Sequence, residues 1–160
     1  MNSSAKSSEV IADRLRRTLV GPMWHGDAVN QLLQGVSAAD AVRRPIPGAH
    51  NIWELVSHMT AWANIARERT SLKELPEPTT AQDWPPMTAG TSIEAWSDAQ
   101  MRLSEAYEAL AQKTEDLDDA TLDAIVPGHD YPVHEMLVGV VEHGAYHGGQ
   151  IGLLKRALRT

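Results

Sequence analysis

The sequence predicts an all-α protein, a four-helix bundle with long crossover connections. Three observations carry that prediction. Apolar residues recur at helical spacing through four long segments, no stretch alternates apolar and polar as a half-buried strand does, and the prolines fall between the segments. Four amphipathic helices around one core bury a stripe on each, which makes a bundle the natural architecture. At 160 residues the chain has the length of one domain. Residues 1–8 hold four Ser and no apolar run, so a flexible tail is expected there and a single helical-bundle domain over 9–160.

The first segment runs from about Ser8 to Val20, where Ile11, Leu15 and Leu19 recur every four residues. Gly21-Pro22 interrupts it, because Pro lacks the N–H and clashes with the preceding turn. Val29, Leu32, Leu33 and Val36 resume the pattern, so the first helix is expected to be broken or kinked. Ser37 to Asp40 reads as the cap of one short turn, which Pro45, Pro47 and Gly48 end. Asn51 followed by Glu54 is a capping signature, and a second helix is expected from Ile52 to about Ser71. Pro76, Pro78, Pro85 and Pro86 predict an extended connector without a helix from Lys73 to Gly90. Thr91-Ser92-Ile93-Glu94 repeats the signature and opens a third helix to about Thr114. The acidic Glu115–Asp123 stretch and Pro127-Gly128 form the next link. A fourth helix runs from about Pro132 to Leu158, with Lys155, Arg156 and Arg159 at the negative end of its dipole.

Composition narrows the function. The formal charge of −7 has the wrong sign for neutralising phosphates, so no nucleic-acid partner is expected. No Cys is present, which excludes disulfides, thiolate ligands and a cysteine nucleophile, so any thiol in the chemistry must come from a substrate. The N-terminus lacks the apolar core of a signal peptide and no window reaches the length of a membrane span. A cytoplasmic protein without a membrane partner is expected.

The chemistry lies in the seven His. With Ile52 set at 0°, the apolar stripe of the second helix spans roughly 280° to 40°, and His58 falls at about 240°, on its edge beside Trp62. On the fourth helix, with Val133 at 0°, His143 and His147 fall at about 280° and 320°, inside the stripe of Met136, Leu137, Val140, Ile151 and Leu154. Two imidazoles one turn apart thus replace core residues. Buried without partners they would cost a few kcal/mol, about 1–3 for each unsatisfied group. A cation satisfies them, since His at i and i+4 is the helical spacing for two ligands of one ion, and His58 supplies a third with a position left open. Gly144 stands where the H-E-x-x-H proteases carry their Glu, which argues against a peptidase of that type. Glu54 lies one turn before His58, where a capping role is simpler than one of orienting the imidazole, and Gln150 follows His147 near the site. His25 at the break of the first helix is the candidate catalytic acid or base. His50, His129 and His134 read as surface residues. Gly144, Gly148 and Gly152 form a ridge of small residues, suited either to a ligand or dimer partner or to tight packing within the chain.

Three segments carry a resemblance. Pro22-Met23-Trp24-His25-Gly26, Asn51-Ile52-Trp53-Glu54-Leu55-Val56-Ser57-His58 and Glu142-His143-Gly144-Ala145-Tyr146-His147-Gly148-Gly149-Gln150-Ile151 are similar to those of the DinB-like superfamily, four-helix-bundle proteins described as metal-dependent hydrolases. The closing H-x-x-x-H-x-x-Q-I pattern is the most specific. The resemblance implies a divalent metal, zinc or nickel, on His58, His143 and His147, and a homodimer. It implies hydrolysis or thiol-dependent transfer on a small molecule, with a thiol or thiol conjugate as substrate. The alternative is a stress-related dimeric module that binds a metal or ligand without turnover.

Overall fold

Amphipathic periodicity and capping residues place the helices. The structure is a computed structural model that describes residues 6–87 and 90–159. Among the described residues it contains α1 (Ser7–Val20), α2 (Val29–Leu33), α3 (Ala38–Ala41), α4 (Ile52–Arg69), α5 (Thr80–Asp83), α6 (Ile93–Glu115), α7 (Asp119–Asp123) and α8 (Val133–Ala157). No strand is present among them; two isolated bridges join Met23 to Gly26 and Ile125 to Pro132. The protein is all-α, as the period of its apolar residues predicts.

The four long helices form the bundle. α1 and α4 each pack against both α6 and α8, so α1 and α4 face each other diagonally, as do α6 and α8. The links 21–51 and 116–132 therefore cross the bundle. Leu15, Leu55, Met59, Leu103, Leu110, Leu137 and Ile151 are fully buried between these helices, and each such side chain contributes about 1.5–3 kcal/mol by leaving water. Trp53 of α4 and Trp96 of α6 meet at 5.0 Å, and Trp96 Nε1 donates to the Val36 carbonyl at 2.9 Å. The two indoles fill volume that Phe, absent from this chain, fills elsewhere.

Several expectations need correction. Of the two forms expected for the first helix, broken or kinked, it takes the broken one: α1 stops at Val20 and α2 is a separate five-residue helix packed on α8 and α1. α4 ends at Arg69, because the Thr70 and Ser71 hydroxyls donate to the Arg67 and Glu68 carbonyls, each at 2.7 Å, and close the last turn. The proline-rich connector does hold a helix. Its prolines flank α5 instead of entering it, and the Gln82 side chain accepts from the Thr79 N–H at 2.9 Å to start the turn. The acidic link likewise holds α7, capped by Asp118 accepting from the Thr121 N–H at 2.8 Å. Of the tail expected over 1–8, residues 1–5 lie outside the described residues, while Ser7 and Ser8 belong to α1.

The glycine ridge packs within the chain. A Cβ on Gly144 would stand 2.3 Å from Thr18 Cγ2 and 2.9 Å from the Tyr107 hydroxyl, and those on Gly148 and Gly152 would each lie 3.4 Å from a Leu32 methyl. Close approach of α1 and α2 to α8, and of the Tyr107 side chain reaching over from α6, is what these glycines allow.

Candidate metal centre

Helical spacing and capping bring three imidazoles together. The reciprocal box of Asn51 and Glu54, with N–H···O distances of 2.9 and 3.0 Å, fixes the start of α4. Two turns later His58 points inward, buried, toward α8. On α8, His143 and His147 lie one turn apart on the face turned to α4. His143 Nε2 is 2.9 Å from His58 Nε2 and 3.0 Å from His147 Nε2. The three groups offer one nitrogen each within 4.8 Å of one another, and they could hold a metal ion.

The outer hydrogen bonds set the tautomers. His58 Nδ1 lies 2.7 Å from the Asp83 carbonyl, an acceptor only, so this nitrogen carries the proton and Nε2 is left bare. His147 Nδ1 lies 2.7 Å from Gln150 Oε1, with the same consequence. Two bare nitrogens therefore face His143 Nε2, which has at most one proton to share between them. Burial, and then the neighbouring imidazoles His147 and His58, push the His143 ring down to about 3. Burial lowers His58 and His147 as well. All three are neutral near pH 7, the form that ligates.

Chemistry and two of the three separations fit a divalent cation. Two nitrogens on one zinc, each at about 2.0–2.1 Å, stand about 2.9–3.4 Å apart at angles between 90° and 110°. Both separations at His143 agree with this. Partners outside the ligands, of the kind that orient ligating imidazoles, serve two of the three: His143 Nδ1 is buried with no partner among the described residues, and its ring is placed by packing against Trp62, His58 and His147.

The connector contributes more than its composition suggests. Asp83 Oδ1 accepts from Trp62 Nε1 at 2.7 Å and lies 3.2 Å from His58 Nδ1. Trp84 stacks on His58 at 3.9 Å with its plane tilted by 5°. On its other side Trp84 stacks on His50 at 3.6 Å, so His50 is one ring away from the centre and not a bystander. His134 is half exposed, as expected, but the His129 side chain is only 14% exposed and stacks on Tyr131. The Glu54 carboxylate turns away from His58 to the Asn51 N–H, Arg44 and His50, which confirms its capping role. His25 lies in the exposed Met23–Gly26 turn, and no hydrogen bond or ring contact joins it to the three imidazoles.

Asp83 and Trp84 were not legible as site residues. The Thr79-x-x-Gln82 spacing that starts α5 was the available signal, since it marks a helix start between the prolines.

The family model of the DinB superfamily matches residues 24–151, most of the chain and all three imidazoles. The chain belongs to the DinB superfamily. Searches of curated proteins and of solved structures gave no match. Membership agrees with the helical bundle and with a three-His group able to hold a metal. Among the described residues of this DinB-superfamily chain no helix is long and apolar enough to cross a membrane.

Proposed function

We propose that this chain binds zinc or nickel through His58, His143 and His147 and acts as a hydrolase or thiol-dependent transferase on a small molecule. The observation that carries the reading is the convergence of three neutral Nε2 atoms with two rings locked by Asp83 and Gln150. Bound there, the ion supplies a Lewis acid that acidifies a water or a substrate thiol. The chain's own part is to hold the ligands neutral and oriented and to shape the approach. A cleft of about 380 Å³ between α4 and α8 reaches His143 and is lined by Trp62, Ile65, Met136 and Val140, an apolar wall for a substrate body. With no Cys in the chain, a reacting thiol belongs to the substrate.

One observation favours a second reading, a metal- or ligand-binding dimer without turnover. The carboxylate nearest the three imidazoles, Asp83, is engaged by Trp62 Nε1 and His58 Nδ1 and is not free to serve as a base.

Elemental analysis of the purified protein tests the centre. About one zinc or nickel per chain, lost in His147→Ala, is expected; trace metal unchanged by that substitution would overturn it. Turnover of ester and thiol-conjugate panels, with and without chelator, separates the enzyme from the module.

A further inference from the structure

The cleft beside His143 contains one deeply buried charge. Arg69, in the last turn of α4, is 4% exposed and lines the cleft. It shares a helix face with His58, since eleven residues make just over three whole turns. Its Nη1 donates to the Tyr131 hydroxyl at 3.2 Å, its Nη2 to Glu77 Oε2 at 3.2 Å, and its Cζ lies 5.9 Å from the Trp62 ring. Those two bonds engage two of five N–H donors among the described residues. Its one ion-pair partner among the described residues is also a poor one. Glu77 is 70% exposed, sits on the connector between Pro76 and Pro78, and is shared with His129 at 3.4 Å. A buried guanidinium is costly to leave undercompensated, and a single exposed carboxylate through one nitrogen uses little of its fork.

The geometry points to Arg69 as the recognition residue for a carboxylate on the distal end of the substrate, with Glu77 as the placeholder that the incoming carboxylate displaces. Trp62 lies between Arg69 and the candidate metal centre, its ring 6.2 Å from that of His143, which puts the guanidinium within about 12 Å of the imidazole. The substrate is therefore an elongated anion: a reacting group at the imidazoles, an apolar body along Trp62 and Met136, and a carboxylate at Arg69. Glu135 and Glu142 also line the cleft, but both are exposed and their charges are screened by water, whereas that of Arg69 is not. The proposal rests on the metal-centre reading for the reacting end alone.

Calorimetric titration of the full chain as purified, with metal content measured on the same samples, tests it. The probes are octanoate, octanol, 8-mercaptooctanoate and 8-mercaptooctanol. Each carboxylate is expected to bind about tenfold or more tighter than its alcohol, because a bidentate charge-assisted pair replaces a neutral contact. Arg69→Met should abolish that preference while keeping the metal content and the affinity for octanol. Glu77→Gln, on the exposed connector, should bind octanoate several-fold tighter than the wild type because the placeholder is gone. Equal affinities of octanoate and octanol in wild-type protein, or Glu77→Gln with unchanged or weaker octanoate binding, would overturn the proposal. If Arg69→Met does not fold, the Glu77→Gln result decides. Failure of the metal reading shows separately, as absent metal and no gain from the thiol in either mercapto probe.

Discussion

Gly144→Ala offers the sharpest test of how the bundle holds its imidazoles. An alanine in mid-helix is intrinsically favoured over glycine by about 0.5–1 kcal/mol. Its Cβ would, however, stand 2.3 Å from Thr18 Cγ2 and 2.9 Å from the Tyr107 hydroxyl. Thr18 is buried, and its hydroxyl donates to the Arg14 carbonyl at 3.0 Å, so rotating its methyl away breaks that bond. Overpacking of this kind costs about 1–3 kcal/mol and occasionally more. The clash is closer than any real contact, so the upper part of that range applies, and after the helix gain is subtracted the net loss should be about 1–2.5 kcal/mol. Urea denaturation followed by circular dichroism measures it. Thr18→Ser removes the clashing methyl, so the double variant should recover at least about 1 kcal/mol of coupling in a double-mutant cycle. Gly149→Ala, with nothing within 4 Å of its Cβ, is the control and should gain about 0.5–1 kcal/mol. Because Gly144 follows His143, Gly144→Ala should also weaken metal binding as α8 is pushed away from α1. A Gly144→Ala protein as stable as the wild type, or a cycle with no coupling, would refute the close approach described above.

Other outcomes follow from the same contacts. Asp83→Ala and Gln150→Ala each remove a group beside an imidazole Nδ1 and should each lower metal affinity about tenfold, by competition with a chromogenic chelator; unchanged affinity in both would show that the rings are held by packing alone. The folded pKa values of His58, His143 and His147 lie below the unfolded 6.5, so the unfolded chain binds more protons on acidification. The stability of the metal-free protein should thus be full above pH 6.5 and fall toward pH 5, with at most about 2 kcal/mol from His143 at that pH; urea midpoints that rise between pH 7 and 5 would contradict this. Metal affinity should decline over the same acidic range, as protons compete for the nitrogens. Chelation should lower the Tm of wild-type protein, by the equivalent of about 4 kcal/mol if the ion was a thousandfold above its Kd, and leave that of His147→Ala unchanged.

The bundle and the imidazoles were legible because both follow from helix periodicity. Ile11, Leu15 and Leu19 mark one face of α1, and the four-residue spacing of His143 and His147 places them on the buried face of α8 whatever the rest of the chain does. Asn51 and Glu54 announced the start of α4 through a local device. What sequence could not supply was tertiary. Prolines at 76, 78, 85 and 86 suggest an extended chain, yet they bracket a turn that delivers Asp83 and Trp84 to His58 from 25 residues away. His50 looks like a loop residue until Trp84 covers it. Nothing in the sequence singles out Arg69, and only the packing of Trp62, Tyr131 and Glu77 around it shows that it is buried. The glycine ridge was ambiguous for the same reason, since spacing cannot say which helix comes close.

The roof over His58 has a different origin from its walls. The three imidazoles stand on helices whose packing holds the molecule together, so each is constrained twice, by chemistry and by folding. Asp83 and Trp84 come from a short turn that, apart from its neighbours in sequence, packs on α4 and belongs to none of the four long helices. Descent can therefore lengthen, shorten or rewrite the segment between α4 and α6 while the bundle continues to fold. Each such change alters what lies over the same three nitrogens. The three imidazoles thus stand on the least replaceable parts of the chain and the cover over His58 on one of its more replaceable, so that cover can change without rebuilding the core.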